Sequence, residues 1–124
     1  MRTNRLAAGK SGLTRLYSAL HYSLQGLRAA FRHEPAFREE CFIAIVVVPL
    51  ALYLGDNGME RAMLIGAWFL VMIVELLNSG IEAVVDRIGA DYHALSGIAK
   101  DVGSAAVLLS LLAAITVWLL VLFD

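Results

Sequence analysis

The stretch AMLIGAWFLVMIVELLNSGIEAVVD, residues 62–86, decides the fold. It is long and apolar enough for a membrane helix, yet it carries Glu75, Asn78, Ser79, Glu82 and Asp86. At about 100° per residue these five fall in one stripe about 100° wide, and the other sides are apolar. A carboxylate near a bilayer centre costs about 2.5–3.5 kcal/mol on insertion scales, so two of them need a compensating role. Acidic, amide and hydroxyl groups stacked on one face make a metal-binding and proton-accepting surface.

Working outward, two more apolar runs flank this one. Cys41–Leu54 (CFIAIVVVPLALYL) is short for a span of about 20 residues, so its helix is expected to begin near Ala36 in the polar FREE stretch. Pro49 is tolerated inside a membrane helix. Val102–Phe123 is the third run, and GSAA at its start (103–106) offers a small-residue face for close helix packing. Gly55–Gly58 reads as a tight turn and Asp86–Asp101 as a longer loop. Three spans are therefore expected, at about 36–55, 60–86 and 100–123.

Ahead of them, Leu13–Arg32 reads as an amphipathic helix, with a surface element expected over about 12–35. Leu13, Leu16, Tyr17, Leu20, Leu24, Leu27 and Phe31 keep helical spacing on one face. A basic amphipathic segment of this kind suits a membrane surface better than a small soluble bundle.

Composition agrees with one membrane domain. The 124 residues are 60% hydrophobic and 17% charged, too apolar for an ordinary soluble core of this size. The lone Cys41 excludes an intramolecular disulfide, and no Cys/His cluster points to zinc. Seven of the ten basic residues (Arg2, Arg5, Lys10, Arg15, Arg28, Arg32 and Arg38) precede the first apolar run. The first forty residues hold no continuous apolar core, so no cleavable leader is expected. The positive-inside rule puts the N-terminus and the 86–101 segment in the cytoplasm, and the 55–61 turn and the C-terminus outside. No nucleic-acid partner is expected.

The orientation divides the stripe by depth, with Glu82 about 10 Å along the axis from Glu75. Glu75 could act as a general base toward a lipid hydroxyl, or it could hold a bundle together by hydrogen bonding. Spacing leaves both readings open. Glu82 near the interface could meet Glu34, and two carboxylates with phosphate oxygens suit magnesium. Lys100 and Asp101 could contact a nucleotide or simply begin a helix. No GxxxxGK[ST] or GxGxxG loop is present. His21, His33 and His93 are not spaced as a ligand set, and Trp68 and Trp118 read as packing or lipid-facing residues. Three short helices cannot enclose a site alone, so an oligomer with sites between subunits is expected.

The stretch from Leu70 to Leu109, with its E-x2-NS-x2-E-x3-D core, closely resembles the small prokaryotic integral-membrane diacylglycerol kinases. GLRAAFRHEPAFREE, residues 26–40, is similar to their N-terminal signature, and the resemblance runs from about Gly12 onward. It implies an all-α homotrimer, each subunit with one surface helix and three transmembrane helices, that transfers the ATP γ-phosphate to diacylglycerol. Glu75 then resembles the general base, and Glu34 and Glu82 the magnesium-binding pair. Arg15, Tyr22, Glu34, Glu82, Asp91, Tyr92, His93, Lys100 and Asp101 fall where the family contacts ATP. Arg15, Ala19, Ser23, Arg28, Ala29, Ala30, Phe31, Ala36, Phe37, Arg38, Glu39, Glu40, Glu75 and Ser104 fall along the lipid-substrate groove. Asn78 and Asp86 belong to the supporting stripe.

There are departures. Ile98 occupies a loop position that is basic in the best-known enterobacterial member, and Leu24 replaces a tryptophan. The resemblance implies a bacterial inner-membrane enzyme of phospholipid recycling. An undecaprenol kinase of the same family is the nearest rival, and a small cation channel or transporter and a structural membrane subunit are others. The channel or transporter reading would leave Glu34 and the Lys100–Asp101 pair unexplained.

Overall fold

The computed structural model describes residues 11–89 and 93–124. These form four helices: α1 (Gly12–His33), α2 (Pro35–Leu54), α3 (Gly58–Ile88) and α4 (Ala94–Leu122), and the described residues contain no strand. α3 packs between α2 and α4, and α1 joins the bundle at its C-terminal end.

Local chemistry sets the boundaries. The Ser11 hydroxyl accepts from the Thr14 N–H at 3.3 Å and starts α1. Pro35 ends α1, because the residue before a proline avoids helical geometry, and Glu34 is extended at φ −116°, ψ 101°. The same proline opens α2 at a position where a missing N–H costs nothing. A reciprocal cap opens α3: Asn57 Oδ1 accepts from the Glu60 N–H at 2.9 Å, and Glu60 Oε1 accepts from the Asp56 N–H at 3.0 Å. Arg61 secures this turn by donating to the Leu52 carbonyl at 3.1 Å.

Most of the 86–101 segment expected as a loop is helical, since α3 runs to Ile88 and α4 begins at Ala94. His93 Nδ1 accepts from the Leu95 N–H at 3.1 Å, so α4 begins well before residue 100 and includes Ile98. The polarity of this segment reflects the end of a helix, not a loop.

α3 and α4 are each long and apolar enough to cross a membrane. α3, at 31 residues, is about 46 Å long, and Glu75 lies near its middle. α2 is apolar after Glu40 but carries Arg38, Glu39 and Glu40 near its start. α1 buries no residue, and its apolar face from Leu13 to Phe31 is exposed.

Two indoles hold the spans in register. Trp68 Nε1 donates to the Glu40 carbonyl and Trp118 Nε1 to the Leu64 carbonyl, each at 3.1 Å. Both tryptophans, expected only to pack or face lipid, therefore tie α3 to its two neighbours.

Candidate functional site

The inward face of α3 reads Leu64, Trp68, Val71, Glu75, Asn78 and Glu82, at the three- and four-residue spacing of one helical stripe. Leu64 and Val71 are fully buried. Glu75 and Asn78 continue that face with only 7% and 8% exposure. The polar stripe thus points into the bundle, as carboxyl and amide groups in a membrane segment must.

Glu40 of α2 is buried as well, at 8% exposure, so α2 and α3 each turn one carboxyl into the bundle. Glu40 Oε1 is buried without a hydrogen-bond partner. One turn along, Asn78 Nδ2 donates to Glu82 Oε1 at 3.3 Å. Asn78 Oδ1 is buried without a partner and lies against Gly103 of α4, where a methyl group would overlap it. Gly103 is there because the Asn78 side chain needs the space. Glu82 is half-buried and lies between this interior and the end of α3.

At that end Lys100 and Asp86 form an ion pair of 2.7 Å between α4 and α3. Asp86 is thus on the supporting stripe but solvent-exposed, joined to Lys100 rather than to the buried groups. Asp101 is exposed beside them, and His93 caps α4. Asp91 and Tyr92 lie outside the described residues.

Two clefts separate α1 from the bundle. One, of about 640 Å³, lies between α1 and α3 and is lined by Ser23, Ala29, Ala30, Glu34 and Ser79 among others. The Ser79 hydroxyl is buried there without a partner. Glu34 makes no side-chain capping bond at the start of α2, which leaves its carboxylate available to this cleft. The second cleft, of about 470 Å³, brings Arg28, Phe31 and Phe37 together with Leu24, Cys41 and Met72. The Phe31 ring meets Phe42 edge-on at 5.9 Å.

Not every expected residue joins these clusters. Arg38 spends its guanidinium on the α1 terminus, donating to the carbonyls of Phe31 at 3.0 Å and Arg32 at 3.2 Å. Ala36 and Glu39 are exposed at the start of α2, and Ser104 is exposed on α4. Arg15, Ala19 and Tyr22 sit farther up α1 and line neither cleft. The described residues contain no group of three or more His, Cys, Asp or Glu side chains arranged as a metal site. Glu34 and Glu82 each bring hard carboxylate oxygens, a donor set that fits magnesium when phosphate and water complete the shell.

Four helices, two of them apolar enough to span a bilayer and enclosing buried carboxyl and amide groups, define a small membrane protein with a polar interior site. Comparison with known proteins identifies the kind. Residues 21–122 match the family described as prokaryotic diacylglycerol kinase. The chain is 50% identical to a diacylglycerol kinase of Haemophilus influenzae over 113 residues, covering 91% of this chain and 96% of that one. A diacylglycerol kinase of Escherichia coli (strain K12) is 49% identical over 119 residues, 96% and 98% of the two chains. One from Pseudomonas aeruginosa is 46% identical over 116 residues, 94% of each. The chain belongs to the prokaryotic diacylglycerol kinase family.

Proposed function

We propose that this chain transfers the γ-phosphate of ATP to the free hydroxyl of diacylglycerol, releasing phosphatidate and ADP. It is an ATP-dependent lipid kinase, and its family and relatives support diacylglycerol as the acceptor. One observation supports the chemistry most directly. Glu75, Asn78 and Glu82 share one inward face of α3, running from mid-helix toward the end that carries Lys100 and Asp86. A proton acceptor at depth and a phosphate-binding end then lie on a single rigid element.

In this reading Glu75 accepts the hydroxyl proton as the lipid oxygen bonds to the γ-phosphorus. The bond from that phosphorus to the β–γ bridging oxygen breaks, and ADP carries the electron pair away. Glu34 and Glu82 would hold magnesium, which neutralises phosphate charge when bound. Lys100, Asp101, His93, Asp91, Tyr92, Arg15 and Tyr22 contact the nucleotide. Asn78 orients Glu82. The lipid groove follows Ala19, Ser23, Arg28–Phe31, Ala36–Glu40 and Ser104.

We further propose three transmembrane helices, with α2 as the first and α1 at the cytoplasmic surface of the inner membrane. The exposed apolar face of α1 supports that placement. A homotrimer would bring Arg15 and Ala19, which line neither cleft in one subunit, to a neighbour's site. The test is an ATP-dependent assay of the purified protein with diacylglycerol and undecaprenol side by side, with and without magnesium. Magnesium-dependent phosphatidate formation exceeding undecaprenol phosphorylation is expected. Preference for undecaprenol, or ion flux without ATP turnover, would overturn the reading.

A further inference from the structure

Ser79 belongs both to the polar stripe and to a cleft, and the reaction above gives it no task. On α3 it lies one turn beyond Glu75 and about 40° around the helix from it. It also lines the cleft between α1 and α3, with Ser23, Ala29, Ala30 and Glu34 on the opposite side. A hydroxyl inside a membrane helix ordinarily bonds back to a carbonyl three or four residues earlier. Ser110 donates in this way to the Val107 carbonyl at 2.7 Å, and Thr116 to the Leu112 carbonyl at 2.8 Å. The Ser79 hydroxyl is buried yet makes no such bond. A buried hydroxyl without a partner is destabilising, so its presence points to a partner from outside the helix.

The walls of the cleft indicate the chemistry of that partner. Gly26, Ala29 and Ala30 on the α1 side and Gly80 and Ala83 on the α3 side have short side chains or none, which leaves room between the helices. No lysine or arginine lines the cleft, and the Glu34 carboxylate is its one anion. Such walls suit an uncharged glycerol head better than a bare phosphate, which needs a cationic donor. Rotation about the Cα–Cβ bond suffices to bring the Ser79 hydroxyl from its buried position to the cleft that its residue borders. We propose that Ser79 is a substrate-binding residue, its hydroxyl donating to a glycerol oxygen of diacylglycerol and holding the lipid head beside Glu75. The proposal rests on diacylglycerol being the acceptor.

The test uses the full chain in lipid–detergent micelles, with Ser79→Ala and Ser79→Thr. Loss of one neutral hydrogen bond to substrate predicts a KM for diacylglycerol about 3–10-fold higher in Ser79→Ala. The KM for magnesium–ATP should not change. Ser79→Thr keeps a hydroxyl and is expected to recover most of the lipid affinity. A second readout needs no turnover. Ser79→Ala removes a buried hydroxyl that has no partner, so its unfolding midpoint without diacylglycerol should hold or rise. Added diacylglycerol should then raise that midpoint less than it does for the unaltered protein. An unchanged lipid KM in Ser79→Ala, a raised KM for magnesium–ATP, a lowered unfolding midpoint, or a threonine variant as weak as alanine would each overturn the proposal. Absence of phosphatidate formation by the unaltered enzyme would instead sink the acceptor assignment, so the two failures are distinguishable.

Discussion

Asn78 fills the space that Gly103 leaves open, so the amide of α3 packs against the bare backbone of α4, the two longest helices. Neither residue can change size alone. The contact also holds the Asn78 amide where its Nδ2 reaches Glu82.

Gly103→Ala should therefore destabilise the protein by about 1–3 kcal/mol, the range for overpacking a well-filled interior. Thermal unfolding in detergent measures this. Adding Asn78→Ala should recover part of the loss, because the clash is removed, while kinase activity stays low without the amide. Additive losses in the double variant would show that the two sites are not coupled.

The Lys100–Asp86 pair is exposed, at 45% and 64% for the two side chains. Solvent-exposed ion pairs contribute about 0–1 kcal/mol, so Lys100→Met should barely move the unfolding midpoint. Its effect should fall on the nucleotide. Loss of a charged hydrogen bond to phosphate, at about 1.5–3 kcal/mol, predicts an apparent KM for magnesium–ATP about 10–100-fold higher. Steady-state kinetics with varied ATP at saturating lipid decide this, and an unchanged KM would remove Lys100 from the nucleotide site.

Glu82→Gln should weaken use of magnesium–ATP more than use of diacylglycerol. The amide cannot serve as a hard anionic ligand, although Asn78 can still donate to its oxygen. Raising magnesium should restore part of the activity. Equal losses toward both substrates would argue against Glu82 as a metal ligand.

Arg38→Ala should loosen α1 where it meets α2, because the carbonyls of Phe31 and Arg32 lose their shared donor. Faster amide hydrogen exchange near residues 30–36 is the expected readout, with exchange in α3 and α4 unaltered. The apolar side chains of α1 that line the clefts, Leu24, Leu27 and Phe31, would then be less firmly held.

The sequence made the α3 stripe legible because helical periodicity is a local property. Glu75, Asn78 and Glu82 share a face at any register. That Glu40 joins Glu75 in the bundle interior was not legible, since it depends on how α2 slides against α3. That offset is set by Trp68, Arg61 and the Asn57–Glu60 cap acting together. Polarity also misplaced the start of α4. Residues 94–101 look loop-like in composition, but the His93 imidazole caps a helix there. Glu34 was singled out as a carboxylate, yet its position at the break before Pro35 is what frees it from capping and opens it to the cleft.

The general-base role of Glu75 is tested most directly by single-turnover phosphatidate formation in Glu75→Gln, with magnesium–ATP binding measured on the same protein. General-base catalysis contributes about 10²–10⁴-fold, so a loss of that size is expected while nucleotide binding and assembly stay intact. A rate within a few-fold of the unaltered enzyme would contradict it.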